Sequence, residues 1–480
     1  MAFTTIDDGS AHHQTALYSS DSSSVTVTND GNSDLRPDWL WIKGRNGSND
    51  HNIFDSVRGF SKRTWSNQAS AENTDDGTGP RPSTDGFTTG TYWGDVNNTS
   101  GSNNYVAWQW VAGGTAPTKT YKVVVVSDSG NKYRFRNSAD TATFGSSAVT
   151  LELQEGGTYT FDQSDSTVAS HPMKFSTTSD GTHGGGSSYN TGVTYNLDGA
   201  SVTESAYVSG FSSATTRSII LNVQNTTTLY YYCHYHSGMG GQADQNATFG
   251  SSNFDGSIQS RASTNSTAGF SIVRHTGSGS SGTIGHGLST APKWVLTINR
   301  STGADRGNFH TALDSGEYYV ELNTTDAQAA GSSVWGDTAP SSTVITLGGA
   351  NTKTNSSNDN FVHYVFSEVQ GFSRFGRYKG NGDANGPFIF TGFKPAWVLV
   401  KKFDGGNNWH LHDNKRPTYN STNKTLYPNL NNAEATEDMD LLSNGFKIRV
   451  SGGGYNTNGG SYIYMAFAEH PFVSSEGVPV

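Results

Sequence analysis

Three times in this chain a Pro-x-Trp segment precedes an aromatic strand at an almost fixed distance, and this repeat constrains the fold more than any other feature. Pro37-Asp38-Trp39-Leu40-Trp41-Ile42-Lys43 leads to Tyr105-Val106-Ala107-Trp108-Gln109-Trp110, with 66 residues between Trp39 and Tyr105. Pro292-Lys293-Trp294-Val295-Leu296 leads to Phe361-Val362-His363-Tyr364-Val365-Phe366 at an interval of 67. Pro395-Ala396-Trp397-Val398-Leu399-Val400 leads to Tyr462-Ile463-Tyr464-Met465-Ala466-Phe467 at 65. Short runs of β-branched and aromatic residues read as strands. A unit returning at constant spacing reads as a duplicated fold. A mid-module signal accompanies it: Asp85-Gly86-Phe87, Asn444-Gly445-Phe446 and a looser Thr346-Leu347-Gly348. The tryptophan strands have two readings, a carbohydrate platform or core packing, and the size of the rings favours the core.

Between the first two copies the pattern changes. Tyr121–Val126, Asn131–Phe135, Val149–Leu153, Thr158–Asp162, Ser218–Val223 and Leu229–Cys233 read as further strands. The expected fold is therefore all-β, with several antiparallel sandwich modules in series. The predicted boundaries are 1–115, 116–248, 249–369 and 370–480, and residues 243–267 read as a polar linker. Hydrophobic residues make up 33% and charged residues 15%, both low, but 12% aromatics argue against disorder. Strands that bury one face only would suit that modest apolar share.

The chemistry concentrates in Tyr230-Tyr231-Tyr232-Cys233-His234-Tyr235-His236-Ser237-Gly238-Met239-Gly240-Gly241, which holds the single cysteine. Cys233, His236 and Met239 supply a thiolate, an imidazole and a thioether on one loop, a donor set for a soft metal. A second imidazole would complete two histidines and a cysteine with a weak axial methionine, a type 1 copper arrangement. His171, in Ser170-His171-Pro172-Met173-Lys174-Phe175, is the candidate. A structural zinc site more often uses two or more cysteines. A cysteine nucleophile would leave Met239 without a role. The alternative to metal binding is a buried apolar cysteine. His12, His13, His275, His286, His310, His410 and His412 share no ligand spacing and read as surface or core residues.

The net charge of −10, without a Lys/Arg cluster, argues against a general nucleic-acid partner. No apolar run is long enough for a membrane span, and the start lacks the pattern of a secretory signal. Paired carboxylates, a phosphate loop and a Ser-His-Asp set are all without a sequence signal, so no enzyme is expected. The Gly-rich runs read as turns because no helix is expected after them.

Residues 120–242 resemble the cupredoxins. That family places one His after an early strand and Cys, His and Met on one later loop. The resemblance implies copper ligands at His171, Cys233, His236 and Met239 within a Greek-key sandwich. Two departures stand out: His234 directly follows the Cys as a competing imidazole, and Tyr235 replaces the usual Pro. The flanks resemble structural proteins of marine and cyanobacterial tailed bacteriophages. The residues that carry this are Phe3-Thr4-Thr5-Ile6-Asp7-Asp8, Phe54-Asp55-Ser56-Val57-Arg58-Gly59, Gly371-Phe372-Ser373-Arg374-Phe375-Gly376 and Thr391-Gly392-Phe393-Lys394-Pro395-Ala396-Trp397. The resemblance implies a virion component made in a host cytoplasm. It would be a tail fibre or appendage acting in host attachment, or else a capsid decoration. Its implied partners are other virion proteins, a host glycan or protein receptor, and further copies of itself, with a homotrimer expected.

Overall fold

Each Pro-x-Trp segment enters the same four-stranded arrangement. In the first copy the strands His13–Ser19, Asn104–Trp110, Trp39–Gly44 and Asn52–Asp55 lie side by side in that order. The second copy repeats it with Phe270–Thr276, Asn360–Phe366, Trp294–Asn299 and Gly307–His310. The third has Ser373–Lys379, Ser461–Pro471, Phe393–Lys402 and Trp409–Asp413. The computed structural model describes residues 4–21, 23–74, 79–90, 95–98, 103–113, 116–141, 143–417 and 420–473. Phe3, part of one sequence motif above, lies outside them. Two units result: residues 1–114, 264–282 and 287–480 form one, and residues 115–263 and 283–286 the other. Among the described residues no helix is long and apolar enough to cross a membrane.

In the larger unit the tryptophan strands are buried on both faces, which corrects the one-faced expectation. Trp39 and Trp41 join one apolar cluster, while Leu40 and Ile42 join another with Phe54, Val27 and Phe87. The second cluster lies under a small sheet, Thr26–Val27, Phe87–Thr88 and Arg81–Pro82. The mid-module signal therefore marks a strand of that sheet. Its glycine is required: a Cβ at Gly86 would sit 2.0 Å from the Val27 carbonyl oxygen, and one at Gly445 2.1 Å from that of Ile389.

The first cluster unites all three copies. Trp110, Phe366 and Phe467 lie opposite Trp39, Trp294 and Trp397 in their respective sheets. Their rings also meet one another, with centroids 6.4 Å (Trp110–Phe366), 5.5 Å (Trp110–Phe467) and 5.3 Å (Phe366–Phe467) apart. Modules in series are thus replaced, for these copies, by a closed ring around an aromatic centre. The physical reason is the first face of each sheet. A fully buried large side chain contributes roughly 1.5–3 kcal/mol, and only the sibling copies cover that face. The carbohydrate-platform reading falls for the same reason, since Trp39, Trp41, Trp108, Trp110, Trp294 and Trp397 are all at most 1% exposed.

The ring closes through three equivalent seams. Opposite Trp39, Asp55 accepts from the Val57 and Arg58 backbone N–H groups at 3.0 and 2.8 Å and pairs with the Arg58 guanidinium. It also accepts from the Tyr364 hydroxyl of the second copy at 2.8 Å. Arg58 continues to Glu72, which Arg300 of the second copy also holds. The third copy repeats this towards the first. Asp413 accepts from Arg416 and, at 2.9 Å, from Trp108 Nε1, and Glu434 holds Arg416 and Arg45. The Glu72 amide donates to Arg300 O and the Glu434 amide to Arg45 O, and at the third seam the Gln328 amide donates to Phe403 O.

That third seam, second copy to third, has different chemistry in the same geometry. His310 stands where Asp55 and Asp413 stand, opposite Trp294. Its Nδ1 accepts from the Ala312 amide at 3.1 Å, so Nε2 carries the hydrogen and donates to the Tyr464 carbonyl at 3.1 Å. Leu313 and Phe403, both buried, replace the two arginines.

The smaller unit has a six-stranded and a four-stranded sheet. The first runs Asn131–Asn137, Thr118–Ser127, Thr158–Asp162, Arg217–Asn222, Val193–Leu197 and Ala200–Val202. The second runs Leu151–Gln154, Gly241–Asn246, Leu229–Cys233 and Met173–Ser176. Both are mixed, which corrects the antiparallel expectation. Thr118–Lys122 pairs parallel with Thr158–Asp162, and Leu151–Gln154 parallel with Ala243–Asn246. The connections between these partners are long enough for the crossovers that parallel pairing needs.

The stretch expected as a linker is structured and extends this unit to residue 263. Phe254 enters its apolar core, and Ser251 and Ser252 are fully buried. The Ser252 carbonyl accepts from the Tyr121 hydroxyl at 2.8 Å, and Arg261 pairs with Glu152 at 2.9 Å. Polar residues can be core residues when each group has a partner.

Candidate metal centre

Two neighbouring strands of the four-stranded sheet position the cysteine and the first histidine. Met173 lies directly opposite Cys233, so His171 leaves its strand at the end where Cys233 enters the loop. A 3₁₀ turn over Ser166–Val168, capped by Asp165, fixes the approach, and the His171 amide donates to the Val168 carbonyl at 2.7 Å. The Met173 amide donates to Gln163 Oε1 at 2.8 Å, and the His234 amide to the Pro172 carbonyl at 2.9 Å.

The result is a triangle of donor atoms. His171 Nδ1 and His236 Nδ1 are 3.1 Å apart, and Cys233 Sγ lies 3.8 Å from the first and 3.5 Å from the second. A triangle with these sides has one point about 2.0 Å from every corner, which is the length of a metal–imidazole bond and close to that of a metal–thiolate bond. The three residues are also the one His/Cys/Asp/Glu group of metal-binding geometry among the described residues. Cys233 is fully buried, His171 buried and His236 exposed. Burial, then the neighbouring His236, lowers the pKa of His171 and keeps its lone pair free.

Met239 is the fourth predicted ligand. It is 1% exposed and belongs to the same apolar cluster as Cys233, with Met173 and Tyr133. His234 does not converge on the triangle. Its Nδ1 lies 3.5 Å from Lys174 Nζ, among groups that include Glu204 and His183. Strand alternation explains this, because neighbours of Cys233 point to the opposite face.

The loop is rigid without a proline at position 235. Its Gly238 amide donates to Asp180 Oδ1 at 2.9 Å, and Lys132 Nζ donates to the Gly238 carbonyl. The Tyr133 amide donates to the Met239 carbonyl at 3.0 Å. At Gly240 a Cβ would lie 1.7 Å from the Tyr231 carbonyl oxygen, so only glycine fits. Behind the triangle, the Tyr133 hydroxyl donates to the His171 carbonyl at 2.8 Å. Burial and then the Cys233 sulfur raise the Tyr133 pKa well above its usual range. Tyr133, Lys132 and Asp180 had no signal in the sequence, because each reaches the loop from a distant segment.

Nearer the cysteine, His183 Nε2 lies 3.1 Å from the Cys233 carbonyl, while other histidines are bonded within the ring copies. His363 receives or gives hydrogen bonds to Thr297 Oγ1 at 2.8 Å and His275 at 2.9 Å. His51 Nδ1 accepts from Trp41 Nε1 at 3.0 Å.

One family matches the chain, a domain of unknown function designated DUF7483, in two copies over residues 8–237 and 243–471. The chain belongs to that family. The first family segment spans one ring copy and most of the smaller unit, and the second spans the other two ring copies. No match was found among curated proteins or solved structures.

Proposed function

We propose that this chain is a structural protein of a bacteriophage particle surface whose smaller unit is a cupredoxin-like Greek-key sandwich holding copper. The donor triangle of His171, Cys233 and His236 carries the metal part of this reading, with Met239 as the weak axial ligand. One soft thiolate and two imidazoles suit copper better than zinc, calcium or magnesium. When bound, copper supplies a one-electron couple and extra stability. The chain's own residues hold it in place: His171 and Cys233 from fixed strand ends, His236 from a loop tied down by Asp180, Lys132 and Tyr133.

Proportion favours a structural role. The ring copies make up most of the chain, and their buried charges Asp55, Arg58, Asp413 and Arg416 are engaged in the seams. The reading keeps a tail fibre or appendage in host attachment as its first form, with capsid decoration as the alternative, other virion proteins as partners and further copies of the chain as a homotrimer. A soluble electron-transfer protein is the second reading, favoured by the exposed edge of His236.

Copper(II) added to the full-length protein tests the site. An intense visible thiolate-to-copper band, lost in Cys233→Ser, supports it, and a folded protein without the band would overturn it. Immunogold labelling of intact particles tests the virion reading, which fails if purified particles carry none of the chain.

A further inference from the structure

Among the described residues, the exposed large hydrophobic side chains are Leu17, Tyr235, Phe388 and Phe390. Two of them share one short strand. In Phe388–Phe390 the central Ile389 is buried, while Phe388 is 45% and Phe390 55% exposed. Among the described residues the strand is the outermost of its four-stranded sheet, paired on one side only, to Gly445–Lys447.

The first ring copy provides an internal control. Ile389 lies opposite Phe446, as Val27 lies opposite Phe87. The residues corresponding to Phe388 and Phe390 are therefore Thr26 and Thr28, both exposed on either side of buried Val27. The fold accepts threonine at these outward positions. Two phenyl rings in water are thus a property of the third copy and not a demand of its packing. Burying them would be favourable by the area they expose.

Beside Phe390 lies a cleft of about 200 Å³. Glu368, Gln370 and Arg374 line it together with the backbone of Gly371 and Gly392. Glu368 pairs with Arg374 at 2.8 Å and is oriented by the Phe375 amide at 3.1 Å. The Arg374 side chain is 49% exposed, leaving guanidinium donors open to solvent. The cleft therefore offers donors and acceptors with no net charge, next to an apolar aromatic face.

We propose that Phe388, Phe390 and this cleft bind a neutral glycan of at least two rings. A sugar ring has an apolar C–H face that stacks on an aromatic ring and hydroxyls that both give and take hydrogen bonds. Glu368 and Arg374 pair with each other, and Lys447, opposite Phe388, donates to the Gly386 carbonyl at 2.9 Å, so hydroxyls suit this surface better than a charged ligand, and a purely apolar one would leave Glu368 and Arg374 facing it. Residues two apart on a strand stand roughly 6.8 Å from each other, so the two phenyl rings address successive sugars. The proposal rests on the attachment reading above, and the two fail separately, because particle labelling decides that reading and sugar binding decides this one.

Saturation-transfer NMR on the full-length protein, with cellotriose, maltotriose and chitotriose as probes, tests it. Transfer to at least one probe is expected. Replacing both rings with the residues of the first copy, Phe388→Thr and Phe390→Thr, should abolish the transfer and leave the unfolding midpoint and the copper band unchanged. Arg374→Gln should weaken it. No transfer to any probe, or equal transfer with the double variant, would overturn the proposal. So would sedimentation showing that the wild-type chain dimerises and the double variant does not, since the patch would then be a contact between copies.

Discussion

The ring seams and the donor triangle both bury polar groups, and they do so in opposite ways. At the seams the central group is fully engaged. Asp55 takes two amides, a guanidinium and a hydroxyl, and His310 uses one ring nitrogen as acceptor and the other as donor. In the triangle two imidazole nitrogens and a sulfur face each other across 3.1–3.8 Å, with no backbone group between them to bond. Complete partnering marks a structural cluster. Convergence of donor atoms on one point marks a ligand site. The seams add a second lesson, because two are ionic and one is apolar in the same geometry. Asp, Arg, Glu and Arg can thus be exchanged for His310, Leu313, Gln328 and Phe403 as a set.

The largest effect should come from breaking an ionic seam on one side. Arg58→Ala leaves Asp55 and Glu72 buried without that partner and should cost about 3–5 kcal/mol in denaturant unfolding. Copper comes next. At a free concentration a thousandfold above its dissociation constant it should stabilise the protein by about 4 kcal/mol, and Cys233→Ser should remove the gain in a thermal melt. Exchanging a whole seam should do far less harm than Arg58→Ala. Asp413→His, Arg416→Leu, Glu434→Gln, Arg45→Phe and Trp108→Met together turn the third-to-first seam into the apolar kind. The loss should stay below that of Arg58→Ala, with most of it coming from the volume removed at Trp108. A loss as large as that of the single arginine variant would show that the seams are not equivalent.

Acid should separate the seams by a smaller margin. Burial holds His310 down to about 4, below the ordinary 6.5. The unfolded chain therefore takes up that proton first, and the His310 contribution is lost as pH falls from 6.5 through 4. Burial works against the Glu72 charge, but Arg300 and Arg58 outweigh it and hold the group at about 2 against an ordinary 4.5. Its contribution is present above 4.5 and is lost as pH falls towards 2. His310→Gln should flatten the upper part of a stability–pH curve and Glu72→Gln the lower part.

Much of this was legible in the sequence. The Pro-x-Trp spacing gave three copies, and the Cys-x-x-His spacing with His171 gave all three corners of the triangle. The closed ring was not legible, because its contacts join residues about 300 positions apart, such as Asp55 with Tyr364. Asp-x-x-Arg recurs at Asp55–Arg58 and Asp413–Arg416, yet the second copy has His310 and Leu313 in those places and hides the pattern. Residues 243–267 read as a linker because seryl and arginyl side chains look solvated until their partners Tyr121 and Glu152 are placed.

X-ray absorption at the copper edge of the copper-loaded full-length protein tests the central claim most directly. Two nitrogens and one sulfur about 2.0–2.3 Å from the metal are predicted, with the sulfur lost in Cys233→Ser. A shell of nitrogen and oxygen only, unchanged by that substitution, would contradict the account.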